Sequence, residues 1–187
     1  MFWKNDCFYE KIGFIALISF AATPTRLTNG SRETVIKACE VAVRYPDALI
    51  FGGTYFKNPE PNFELLEKRR VFGDQFVWVG PVSSTTDERE AIVREATKRG
   101  LQISKVIVVD ESYHAIRTKI VWRHYHPNAD IRFRLVPGSK AADWKNPMLL
   151  QRIALVWLVA NLALAPLYKW FPGVKWFAKR NFSQPAF

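Results

Sequence analysis

A chain of 187 residues with 49% hydrophobic and 24% charged residues is long enough to bury a core within one domain, which excludes a disordered protein. Two cysteines (Cys7, Cys39) and three histidines (His114, His124, His126) exclude a disulfide framework and a zinc cluster of ordinary spacing, and favour a reducing compartment. The net charge of +10 collects at one end: Trp144 to Phe187 holds six basic residues and no acidic one, against 21 basic and 17 acidic before it, so no nucleic-acid-binding face is expected.

The first apolar run, "IGFIALISFAA" (12–22), reads as a signal-peptide core or as a buried strand. Asp6 and Glu10 upstream, and the absence of a small-x-small cleavage site, favour the strand. "TPTRLTNG" is turn chemistry, and Ser31 is expected to cap a helix running to about Arg44, with Glu33 in its first turn and Pro46 closing it. "ALIFGG" (48–53) reads as a second strand ending in two glycines, "PNFELLEKRR" (61–70) as a helix and "FVWVG" (76–80) as a third strand. In "SSTTDEREAIVREATKRG" (83–100), Thr85 and Glu88 fit a capping box, and Gly100 ends the helix. "ISKVIVV" (103–109) is the fourth strand. Ser112 is expected to cap the next helix, whose buried side carries Ile116, Ile120 and Val121. "DIRFRLVP" (130–137) alternates apolar and basic residues, as an edge strand does.

Strand and helix alternate about five times through short connections. That order predicts a three-layer α/β domain over 1–143, with a mainly parallel five-stranded sheet and helices on both faces. Ligands of such sheets bind beyond the carboxyl ends of the strands. Every polar cluster falls at such an end: Thr23, Thr25 and Arg26 after the first strand, Gly52 and Gly53 after the second. Ser83 to Thr86 follow the third, and Ser112, His114 and Arg117 the fourth. Glycines let a ligand approach the backbone, while a hydroxyl-rich helix start offers amides and hydroxyls to an anion. His114 and Arg117 lie one turn apart on one helical face. A guanidinium matches phosphate or carboxylate with two hydrogen bonds, and an imidazole carries a proton near neutral pH. The site is therefore expected to hold an anion, with no metal.

These blocks carry a likeness. "VIVVDESYHAIRTK" resembles the signature of the SanA/YdcF-like domain family, in Tyr113, His114 and Arg117. "SSTTDE" (83–88) resembles that family's Ser-x-Asn-Thr-x-Glu segment through Ser83, Thr86 and Glu88; "LIFGG" resembles its Ser-Gly-Gly strand end, and Glu64 its acidic helix position. The order and spacing of the blocks agree over about residues 12–137. The chain departs from the family at Phe51 (serine), Thr85 (asparagine), Asp110-Glu111 (a Thr-Ser pair) and at "AATPTR", where the first strand usually ends in glycines. The resemblance implies a Rossmann-like domain. It also implies a role in envelope integrity or polysaccharide metabolism, as in bacterial members, or S-adenosylmethionine binding, as in a cytosolic-type member. The expected activity is hydrolysis of, or group transfer at, a phosphate-containing substrate, with Arg117 stabilising charge and His114 handling the proton. The alternative is a non-catalytic, membrane-associated envelope-maintenance protein.

The end of the chain, 144–187, is expected to form an aromatic-rich, basic helix and tail. Ile153 to Tyr168 are apolar except Asn161, which is borderline for a span of about 20 residues. Three placements are open: a helix docked on the sheet, a helix on a membrane surface, and a span. The span would carry the basic end away from the cytoplasm. Peripheral attachment of residues 147–180 to anionic lipid at the cytoplasmic membrane face satisfies both the aromatic and the basic content.

Overall fold

A computed structural model describes residues 11–171. The chain runs β1 (Phe14–Leu17), α1 (Asn29–Arg44), β2 (Ile50–Tyr55), α2 (Phe63–Phe72), β3 (Phe76–Val82), α3 (Thr85–Lys98), β4 (Lys105–Glu111), α4 (Ala115–Tyr125) and β5 (Asp130–Val136). A single helical turn, α5 (Gly138–Ala141), and a closing helix, α6 (Ala154–Trp170), follow. The five strands make one parallel sheet in the order β3-β2-β1-β4-β5, the three-layer Rossmann-like arrangement that the alternation predicts.

Because the central strands are covered on both faces, they carry unbroken apolar runs. Ile15 and Leu17 of β1 pack with Val35, Ala38 and Val41 of α1 and with Phe72 of α2. Phe14 and Ala16 point the other way, to Ile92 and Ala96 of α3, Trp122 of α4 and Trp157 of α6. β5 lies at an edge, and its Arg132 and Arg134 blunt that edge against pairing with another chain. Connections from β1 run to one face and those from β4 to the other, so the winding direction reverses between these neighbours.

Several local expectations are corrected. β1 spans four residues, not the whole run 12–22; Ile18, Phe20, Ala21 and Ala22 stay buried as a loop folded over the strand end. Helix α1 is capped by Thr28 rather than Ser31, which places Glu33 beyond its first turn. The two glycines lie inside β2, which continues to Tyr55. Ser84, not Thr85, caps α3: its hydroxyl accepts from the Asp87 amide at 3.2 Å, while the Asp87 carboxylate accepts from the Ser83 amide at 3.0 Å. Ser112 does not cap α4. The helix has no side-chain cap; the Glu111 carboxylate instead holds the turn before it, accepting from the amides of Tyr113 (2.9 Å) and His114 (2.5 Å). On α4 the buried positions are Ala115, Thr118, Val121 and Trp122, with Ile116 and Ile120 only half-buried.

Helix α6 packs against α4, with Asn161 and Tyr168 meeting Arg117 and Trp157 joining the core on the sheet's second face. Among the described residues, no helix is long and apolar enough to cross a membrane. The aromatic and basic positions after Phe171 lie outside the described residues.

Candidate functional site

A cleft of about 430 Å³ opens beyond the carboxyl ends of the strands, and its polar lining comes from four separate strand ends, with Tyr55 and Lys57 supplied by the end of β2 and the loop after it. Ser19 follows β1, Ser83, Ser84, Thr85 and Glu88 follow β3, and His114 and Arg117 follow β4. Of the predicted site residues, the fold thus brings together Ser83, Thr85, Glu88, His114 and Arg117.

The others have different neighbours. Arg26 forms a two-pronged pair with Asp143, at 2.8 and 2.9 Å, and Thr25 is exposed in the same turn. Ser112 accepts from the Gly138 amide at 2.9 Å. Thr86 is fully buried and does not line the cleft. Gly52 and Gly53 serve packing: a Cβ on Gly52 would sit 2.9 Å from the Leu17 carbonyl oxygen, and one on Gly53 2.7 Å from a Val82 methyl.

His114 is held from every side. Its Nδ1 lies 3.1 Å from Oδ1 of Asp110, and its Nε2 lies 3.1 Å from Oγ1 of Thr85. An ionised carboxylate only accepts hydrogen bonds, so it selects the tautomer with the proton on Nδ1 and leaves the Nε2 lone pair facing the threonine hydroxyl. The Glu111 amide donates to the same carboxylate oxygen, at 2.8 Å from Oδ1 of Asp110. Trp157 stacks on the imidazole at 5.9 Å between centroids and 9° between planes, and Phe20 meets it edge-on at 5.3 Å. Asp110, Thr85 and His114 are all buried, at 0%, 5% and 7% exposure, which limits competition from water for these bonds.

Asp110 and Glu111 put two carboxylates beside the cleft, and both are engaged. Asp110 faces His114, and Glu111 holds the turn before α4 while accepting from Nε1 of Trp157 at 2.6 Å. Burial, with Asp110 beside it, raises the pKa of Glu111 above its ordinary value.

Arg117 meets neutral groups. Its Nε donates to Oδ1 of Asn161 at 2.7 Å, and its guanidinium lies 5.4 Å from the ring centres of Trp157 and Tyr168. Burial pulls its pKa down, against the opposing pull of Tyr168 and Asp110. A cation desolvated in this way gains most from an anion seated beside it.

A second buried group stands behind Ser19. Nζ of Lys68 donates to Oε1 of Glu64 (2.8 Å), the Gly53 carbonyl (2.9 Å) and Oγ of Ser19 (3.3 Å). The Ser19 amide donates to Oε1 of Glu88 at 3.0 Å. Burial pushes the Glu88 carboxyl up to about 8, with Lys68 pulling against it and Glu64 adding to the rise. The protonated form of Glu88 is therefore favoured well above the ordinary carboxyl range.

This shift fixes a pH dependence. The folded state holds the Glu88 proton that the unfolded chain releases in the ordinary carboxyl range, so this contribution is full below that range and is lost as pH rises through about 8. Urea titrations should show stability falling between mildly acidic pH and about pH 8, and a Glu88→Gln variant should flatten that slope. An unchanged slope in the variant would assign the dependence to another group.

Sequence reasoning missed Asp110 as the histidine's partner, as well as Ser19, Lys68, Trp157 and Asn161. One of these carried a signal: Lys68 stands four residues after Glu64 on one helix, the spacing of a facing pair. No protein-family model, no curated protein and no solved structure matches the chain, so the SanA/YdcF-like likeness rests on the residues quoted for it.

Proposed function

We propose that this protein is an ester hydrolase or group transferase acting on an anionic, phosphate-bearing substrate in the cleft between Thr85, His114 and Arg117. The observation that carries this reading is the continuous chain from Asp110 through His114 to the Thr85 hydroxyl, ending at the cleft wall. It has the roles of a nucleophile, a base and the group that orients the base.

In the first step the Thr85 oxygen attacks the phosphorus, and its proton passes to Nε2 of His114. The bond to the leaving alcohol breaks, and the imidazolium returns that proton to the departing oxygen. Water or an acceptor alcohol, deprotonated by His114, then attacks the phosphorylated threonine and restores its hydroxyl. Asp110 stabilises the imidazolium in both steps, and Arg117 opposes the charge on the non-bridging oxygens.

The test is a fluorophosphonate reagent, which loses fluoride to an activated hydroxyl. Mass spectrometry of the treated full-length chain should find the adduct on the peptide bearing Thr85, and a His114→Ala variant should lack it. Absence of any adduct in the wild type, or an adduct on Ser19 instead, would overturn the reading.

A further inference from the structure

The cleft has a second wall, and it is of opposite character. Besides the hydroxyls and His114, the lining includes Pro147, Met148, Leu149 and Leu150, with Leu164 of α6. Leu149 and Leu150 belong at once to this wall and to the outer surface, being 69% and 47% exposed. The apolar surface continues along α6 without interruption. From Leu155 to Leu167 every exposed position of the helix is apolar, with Leu155 at 67%, Val159 at 56% and Leu162 at 53%.

A docked helix of a three-layer domain ordinarily turns a polar face to water. Here the buried face holds the polar Asn161 and the outer face holds leucine and valine. An outward apolar strip of this kind marks a contact surface.

Charge decides among the occupants. No acidic residue occurs from Trp144 onward, while Lys145 and Lys169 are exposed at the two ends of the strip and Arg152 is half-exposed. A second copy of this chain would set like charges against each other. A lipid surface with anionic headgroups satisfies both the apolar strip and its basic flanks. Trp144 (73% exposed) and Trp170 (74%) stand where such a surface places indoles, beside the lysines.

We infer that the α6 strip docks on an anionic lipid surface, and that the cleft receives an amphiphile from it, a phosphate ester whose apolar chain runs along Leu149, Leu150 and Leu164 while its headgroup reaches Arg117. The docking half stands on the strip alone; the substrate half rests on the hydrolase or transferase reading above.

The experiment uses vesicles of phosphatidylcholine with and without phosphatidate, and the variant Leu155→Glu/Val159→Glu/Leu162→Glu, whose positions are exposed and lie outside the cleft. The wild-type chain should float with the phosphatidate vesicles, and the variant should stay at the bottom of the gradient. Turnover of a vesicle-borne long-chain phosphate ester should fall at least about tenfold in the variant, the loss expected when even one leucine goes unburied. Turnover of a short-chain soluble ester should be unchanged. Wild-type protein that stays at the bottom with both vesicle types overturns the inference. So does a variant that floats as well as wild type, or a wild-type dimer in solution that the same substitutions disperse. Flotation without turnover of any ester would instead sink the catalytic reading and leave the docking surface standing.

Discussion

Replacing Asp110 with asparagine should lower ester turnover by roughly 10³–10⁴-fold while leaving the fold intact. The fold survives because the asparagine oxygen can still accept from the Glu111 amide, the bond that Oδ1 of Asp110 makes at 2.8 Å. Turnover falls because the asparagine nitrogen then takes the place of Oδ2, 3.2 Å from Nδ1 of His114, and presents a donor where the carboxylate presented an acceptor. The imidazole then carries its proton on Nε2 and presents a donor to Thr85, so it can no longer take the hydroxyl proton. The measurement is kcat/KM across pH, with thermal denaturation run beside it. A variant within about tenfold of wild type would remove Asp110, and with it the relay, from the mechanism.

The largest effect on stability is expected at Lys68. Its ammonium and the Glu64 carboxylate are both fully buried, 2.8 Å apart. Lys68→Met leaves the buried Glu64 without its cation, so urea denaturation should show a loss of about 3–5 kcal/mol. The double variant Lys68→Met/Glu64→Gln should recover part of it, because the neutral amide no longer needs a counter-charge. A single-variant loss below about 1 kcal/mol would mean that water reaches the group. The effect should extend to the cleft, since Lys68 ties the Gly53 carbonyl of β2 to the Ser19 hydroxyl beyond β1.

How much of this was legible follows from what each signal measures. The sheet could be read because strands covered on both faces are continuously apolar, as β4 shows in "VIVV", whereas β5 at one edge alternates apolar and charged residues in "DIRFR". The convergence of Ser83, Thr85, Glu88, His114 and Arg117 followed from chain direction alone, because parallel strands deliver their following loops to one rim. Chain direction does not say which way a side chain turns once it arrives there. Arg26 and Ser112 stand at the same strand ends, and they turn to Asp143 and to the Gly138 amide. The four hydroxyls Ser83–Thr86 could each have capped α3; the Asp87 carboxylate settles the choice on Ser84 and leaves Thr85 for His114. Trp157 and Asn161 were out of reach for another reason. They meet His114 and Arg117 across 43 and 44 positions of chain, and only the docked pose of α6 joins them.

The reversal of winding between β1 and β4 has a consequence for how this protein can change. Loops that depart to opposite sides of a sheet leave a gap by their route, whatever residues happen to border it. Exchanging the bordering side chains alters which guest is accepted without abolishing the hollow itself. Recognition can therefore drift by substitution at the rim while the strands beneath stay unchanged.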